Sequence, residues 1–234
     1  MGIFRLGHLA LFIIGISLFV YVMSGDPHGV RALTREDGLV ENITALLYFV
    51  GAVACLIALY RGQFRLFAAI WLFLCVLFLG EETSWFQRQL DYSVPAVENM
   101  NTQGEFNLHN LHPWGGKEGI VAVFADEHGQ FRIDIRKLLD AQTFFRIGFL
   151  IYFLLIPMIV MFRPVGRLAD RLSYPRIEPG FLIAIWAVVI PSFILALITG
   201  PPVKNSITEF REMFFALVIC LYTFGFLALE RRRT

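Results

Sequence analysis

Leu72-Phe73-Leu74-Cys75-Val76-Leu77-Phe78-Leu79 runs without a polar side chain straight into Gly80-Glu81-Glu82. Charge set against an apolar helix of membrane depth is expensive, so two adjacent carboxylates there point to a purpose. Residues 64–80 cover only about 25 Å at ~1.5 Å per residue, short of a ~30 Å hydrocarbon core. The spacing therefore predicts a helix that continues through residues 81–85 and ends near Gln87. Glu81 and Glu82 would then lie at the outer edge of the hydrocarbon, with Trp85 at headgroup level, where Trp is favoured.

Five more apolar segments flank this one, at residues 9–23, 43–60, 143–162, 181–199 and 210–229. With 57% hydrophobic residues and 24 Phe among 234, the chain is too apolar for a water-soluble domain of its size. The net charge of +1 says nothing about nucleic acid, but no basic stretch interleaved with aromatics is present, so no nucleic-acid partner is expected. Cys55, Cys75 and Cys220 all fall inside apolar runs without CxxC spacing, so neither a disulfide framework nor a cysteine zinc site is indicated. The first segment has Arg5 ahead of it and no small-x-small cleavage site after Met23, and it reads as a retained signal anchor.

Arginines sort the connections. Arg5, the pair Arg61 and Arg65, the group Arg163, Arg167, Arg171 and Arg176, and the closing Arg231-Arg232-Arg233 all fall on one side of an alternating path. The positive-inside rule makes that side cytoplasmic. The expected architecture is an all-α integral membrane protein, one polytopic domain over residues 1–234. It has six transmembrane helices, both termini cytoplasmic, and a long extracytoplasmic region at residues 83–142. That region is longer than a simple connector needs, which leans functional.

Within it, Asn101, Gln103, Glu105, Asn107 and His109 alternate with Gly104, Phe106 and Leu108. An extended segment would present the polar row on one side. A helical reading puts Glu105, His109 and His112 on one face instead. Both bring Glu105 and His109 to the same side. Further on, residues 120–124 and 131–135 flank Glu127-His128-Gly129 and read as a short β-hairpin.

Carboxylates gather at the outer ends of three segments: Glu41, the Glu81-Glu82 pair, and Glu209 with Glu212. Carboxylates and imidazoles at helical spacing are what bundle-type metal sites use, and hard oxygen donors with one or two His suit Zn, Mn or Fe. The candidate metal ligands are Glu81, His109 and Glu212, with Glu81, Glu82 and Glu105 as candidate catalytic acids and bases. Glu41, His112, Arg146 and Glu209 would support them or hold a lipid phosphate. Without a metal, one of two neighbouring acids near lipid is pushed towards its protonated form and becomes a general acid. No ExxH or HExxH spacing is present. Two plainer accounts compete. Acids at a helix N-terminus are favoured by the macrodipole, which covers Glu41, Glu209 and Glu212. Arg146, about a turn inside its segment, would pair with the outer carboxylates in a purely structural network. Pro157 and Pro191 should kink their helices.

Gly80-Glu81-Glu82-Thr83-Ser84-Trp85-Phe86-Gln87-Arg88, followed by Gln103-Gly104-Glu105-Phe106-Asn107-Leu108-His109-Asn110, resembles a pattern in uncharacterised bacterial multispan inner-membrane proteins. The resemblance implies a bacterial inner (plasma) membrane location and no activity. Glu41-Asn42-Ile43-Thr44 is faintly similar to a segment of alkaline ceramidases, whose zinc is held by membrane histidines. The apolar segments after the first hold no His here, so that zinc site is not carried over. Two functions follow as expectations. One is a metal-dependent membrane enzyme acting on a lipid or lipid-linked substrate. The other is an accessory subunit bound to a membrane-protein partner or to further copies of itself.

Overall fold

The computed structural model describes residues 2–35, 38–99, 101, 106–107, 141–200 and 203–229. Its α-helices of five or more residues are α1 (Gly2–Ser24), α2 (Pro27–Leu33), α3 (Leu39–Tyr60), α4 (Arg65–Glu82), α5 (Ala141–Leu150), α6 (Ile156–Val160), α7 (Arg163–Arg171), α8 (Pro179–Ile198) and α9 (Val203–Leu229). No strand occurs among the described residues. The hairpin expected at residues 120–135 lies outside them. The chain forms two compact units, Met1–Leu79 with Val160–Thr234, and Gly80–Ile159.

Three helices are long and apolar enough to cross a membrane: Leu39–Tyr60, Pro179–Ile198 and Val203–Ala228. A fourth candidate, a broken span or a re-entrant loop, is Phe144–Val160 followed by Arg163–Arg171. Six such helices are not found among the described residues. Leu11–Ser24 of α1 is also apolar, and it belongs to a helix of 23 residues. The 18 residues of α4 include Arg65, Glu81 and Glu82, so no stretch of that length is free of charge at both ends.

α9 is the centre of the first unit. Its buried residues point all round the helix, among them Ile207, Phe210, Phe214, Phe215, Val218, Ile219, Tyr222 and Phe226, which is the pattern of a helix enclosed by others. α3 packs beside it. Thr34, just ahead of α3, meets Ser206 near the start of α9 (Oγ1–Oγ 3.1 Å). Further along, a Cβ added at Gly51 would stand 3.6 Å from Cys220 Cα and 3.4 Å from Thr223 Oγ1. The two helices therefore run parallel. The buried face of α3 carries Thr44, Tyr48, Gly51, Cys55 and Ala58, whereas Leu46, Phe49, Val53 and Leu56 point outward. Small residues inside and large apolar ones outside suit packing in lipid, where close backbone approach rather than water exclusion drives helix association.

α1 crosses α8 and α9 at Gly15, where an added Cβ would lie 2.6 Å from Val188 Cγ2 and 3.0 Å from Phe214 Cε2. α2 starts by the rules for short helices: Asp26 caps it by accepting from the backbone N–H of His28 (3.3 Å) and Gly29 (3.1 Å), and Pro27 fills the first turn. At the other end of this unit the connections are pinned by aromatics. Phe64 meets Phe226 (5.7 Å between centroids), Phe67 meets Tyr174 (5.4 Å), and the Tyr222 hydroxyl donates to the Pro175 carbonyl (3.1 Å). The α3–α4 turn with Arg61 and Arg65, the Arg163–Arg176 stretch and the last turns of α9 thus share one end, the grouping expected from the arginines.

Two boundaries differ from expectation. The last span was expected from residue 210, but the helix opens at Val203. Glu209 and Glu212 therefore lie inside α9, beyond its first turn, and the macrodipole does not account for them. Glu41 does sit in the first turn of α3. In the second unit Pro157 acts one turn early. It has no N–H to offer the carbonyl of Phe153, and residues Ile151–Leu155 widen into a π-helix between α5 and α6.

Candidate functional site

Sequence spacing predicted that α4 would run on to Gln87; it stops at Glu82. Ser84 (φ 46°), Trp85 (φ 53°) and Phe86 (φ 63°) follow in three successive left-handed conformations. Each costs a residue with a Cβ roughly 1–2 kcal/mol, so the surroundings must hold the turn. Trp85 folds its indole back onto the helix it has just left. A Cβ on Gly80 would lie 2.6 Å from two ring carbons, so only glycine admits this fold-back. Trp85 Nε1 then donates to Glu81 Oε1 (3.1 Å), and the Tyr92 hydroxyl donates to the Trp85 carbonyl (2.9 Å).

The turn is closed by residues further along the chain. Asn107 Nδ2 donates to Ser84 Oγ (3.3 Å), and Asn101 Nδ2 donates to both Asn107 Oδ1 (2.9 Å) and the Asn107 carbonyl (3.0 Å). Gln87 Oε1 accepts from the Phe106 N–H (2.6 Å), and the Phe106 ring packs edge-on against Tyr92 (6.1 Å). Ser84 and Asn107 are only 1% and 2% exposed. Buried polar groups satisfied this fully hold a backbone in one arrangement, because losing any partner leaves a desolvated group unpaired. Asn101 and Asn107 both belong to the polar row of the alternating segment and meet at 2.9 Å, whereas a fully extended run would hold them roughly 20 Å apart.

Of the residues singled out from sequence, Glu81, Glu82 and Arg146 lie in the second unit. Glu81 is oriented by Trp85, and Arg146 is buried on α5. Glu41, Glu209 and Glu212 belong to the first unit. Glu105, His109 and His112 lie outside the described residues. Among the described residues no three of His, Cys, Asp and Glu come together as a metal site.

Sequence reasoning missed Arg211. It is 3% exposed inside α9, its guanidinium carbon 4.3 Å from the centre of the Phe193 ring and its Nη2 donating to Thr208 Oγ1 (3.4 Å). Counting back along the parallel helices from the Gly51–Cys220 approach, Glu41 lies level with Phe210 and Arg211. The signal was present: an arginine inside an apolar segment is rare and marks a buried polar cluster. It was masked by its acidic neighbours, which suggested a helix start. Each acidic group thus has a buried arginine in its own unit, Arg146 with Glu81 and Glu82, and Arg211 with Glu41, Glu209 and Glu212.

Chemically, the second unit offers a carboxylate fixed by an indole N–H at the end of an apolar helix, with a buried guanidinium in the same unit. Such a group can hold a cation or exchange a proton at a defined position. The Asn101, Asn107, Ser84 and Gln87 partners were not legible as site residues, since nothing in their local spacing pairs positions so far apart. No known protein family, curated protein or solved structure matches the chain.

Proposed function

We propose that the chain is a multi-pass protein of a bacterial inner membrane, with both termini cytoplasmic, that acts on a lipid or lipid-linked substrate from the outer side. Glu81 is its positioned carboxylate. The observation that carries this reading is the turn after α4, where three left-handed residues and a buried amide network set the Trp85 N–H against Glu81 Oε1 at 3.1 Å. Carboxylates that bind metals are themselves held by hydrogen bonds of this kind, and that second contact sharpens both orientation and affinity. A divalent ion, Zn, Mn or Fe, is the cofactor this site calls for, with Glu81 and His109 as its protein donors. When bound there, such an ion would supply Lewis-acid polarisation of an ester or phosphoryl oxygen. Glu82 or Glu105 serves the proton transfer.

A second reading has its own support. Arg146 is buried in the same unit as Glu81 and Glu82, and an ion-pair network needs no metal. Incubating the purified chain with radiolabelled total lipid extract and each of the three metals separates the two. The enzymatic reading expects a new lipid product from the wild type that Glu81→Gln does not form. No change in any lipid class with any of the metals contradicts it.

A further inference from the structure

α7 follows an apolar helix that ends at Val160 and precedes the membrane-crossing candidate Pro179–Ile198, so connectivity alone keeps it at a membrane surface. Its sequence, Arg163-Pro164-Val165-Gly166-Arg167-Leu168-Ala169-Asp170-Arg171, divides the helix lengthwise. Gly166 and Ala169 face the protein and are buried. Arg163, Arg167 and Arg171, four residues apart, form an exposed row along one flank. Leu168 and Leu172 form a second row on the far side, 53% and 50% exposed. Arg176 donates to Asp170 Oδ1 (2.8 Å) and to the Gly166 carbonyl (3.2 Å), which neutralises the only acid of the helix and ties the following loop to it. The Phe67–Tyr174 and Tyr222–Pro175 contacts hold that loop on the first unit. Among the described residues no carboxylate pairs with the three-arginine row.

We propose that this row binds the phosphates of anionic phospholipids in the leaflet at that end of the first unit, with Leu168 and Leu172 set into the acyl boundary. The arrangement is that of a helix lying in the interface plane, cations at headgroup height beside an apolar strip. Arginine suits phosphate because its planar fork donates two parallel hydrogen bonds. This lipid site uses none of the residues of the Glu81 turn and stands whether or not that turn is catalytic.

The test is the relative association of spin-labelled phosphatidylglycerol and spin-labelled phosphatidylcholine with the full chain reconstituted in phosphatidylcholine bilayers. Each basic residue near an anionic surface contributes about fivefold in partitioning. The wild type should therefore prefer the anionic label, and R163Q/R167Q/R171Q should lower that preference by at least about fivefold. R31Q/R35Q, at the opposite end of the unit, should leave it unchanged. If the triple variant fails to fold, the wild type still decides: raising ionic strength from about 0.1 M to about 1 M cuts the screening length from about 10 Å to about 3 Å and should remove most of the preference. A preference that survives the triple substitution, that falls equally in R31Q/R35Q, or that is indifferent to salt overturns the proposal.

Discussion

Gly80→Ala is the sharpest probe of the turn that carries the site. In an ordinary helix interior the change stabilises by about 1 kcal/mol, because alanine has less backbone freedom to lose. Here the new methyl would sit 2.6 Å from Trp85 Cδ2 and Cε2 and 2.9 Å from Cε3. Two responses are open, and their costs are alternatives rather than a sum. If the ring stays, overpacking costs about 1–3 kcal/mol. If it retreats by roughly an ångström, the 3.1 Å bond from Nε1 to the Glu81 carboxylate breaks, at about 1.5–3 kcal/mol for a hydrogen bond to a charged group. Set against the propensity gain, overpacking leaves a net loss of about 0–2 kcal/mol and the broken bond one of about 0.5–2 kcal/mol. Equilibrium unfolding in mixed micelles of rising SDS content reads it. The companion is Trp85→Ala: without the ring there is nothing to strike, so Gly80→Ala in that background should be neutral or stabilise by up to about 1 kcal/mol. Destabilisation of the same size in both backgrounds would show that the fold-back of Trp85 onto Gly80 is not the cause.

Three further outcomes are expected. Gly15→Ala should loosen α1 by about 1–3 kcal/mol through its clash with the branched Val188, and Val188→Ala should recover part of that loss in the same unfolding assay. Phe193→Leu should cost about 0.5–2 kcal/mol by removing the ring under the Arg211 guanidinium. The same change in an Arg211→Met background should lose no cation–π energy, so equal losses in the two backgrounds would refute that contact. For orientation, Ser93→Cys should react with an impermeant thiol reagent in intact cells, and Leu172→Cys only after permeabilisation. Cys55, Cys75 and Cys220 are buried and give little background. A reversed pattern would turn the chain over in the membrane.

What the sequence disclosed is governed by range. The apolar helices α3, α8 and α9 and the shared end of the arginine-bearing connections follow from composition and alternation along the chain, and both were legible. The stop of α4 at Glu82 was not. Ser84-Trp85-Phe86 continues an apolar helical pattern, and its left-handed backbone is imposed by Gly80, Tyr92 and Asn107, none of which local periodicity can link to it. Arg211 escaped for a related reason. Between Glu209 and Glu212 it looked like part of a charged helix start, while the true start lies at Val203. Its recognition also strengthens the ion-pair reading of the carboxylates, because the acids divide between two units with a buried arginine in each.

The decisive measurement is therefore the metal content of the purified chain beside that of its Glu81→Gln form. Glutamine keeps the size of the side chain and can still accept from Trp85 Nε1, but it lacks the negative charge that binds a cation. The account predicts Zn, Mn or Fe near one equivalent in the wild type after reconstitution, and its loss in Glu81→Gln with the unfolding midpoint preserved. Background metal in both forms, with Glu81→Gln destabilised by about 3–5 kcal/mol as a broken buried ion pair would be, contradicts the metal site and leaves Glu81 as the partner of Arg146.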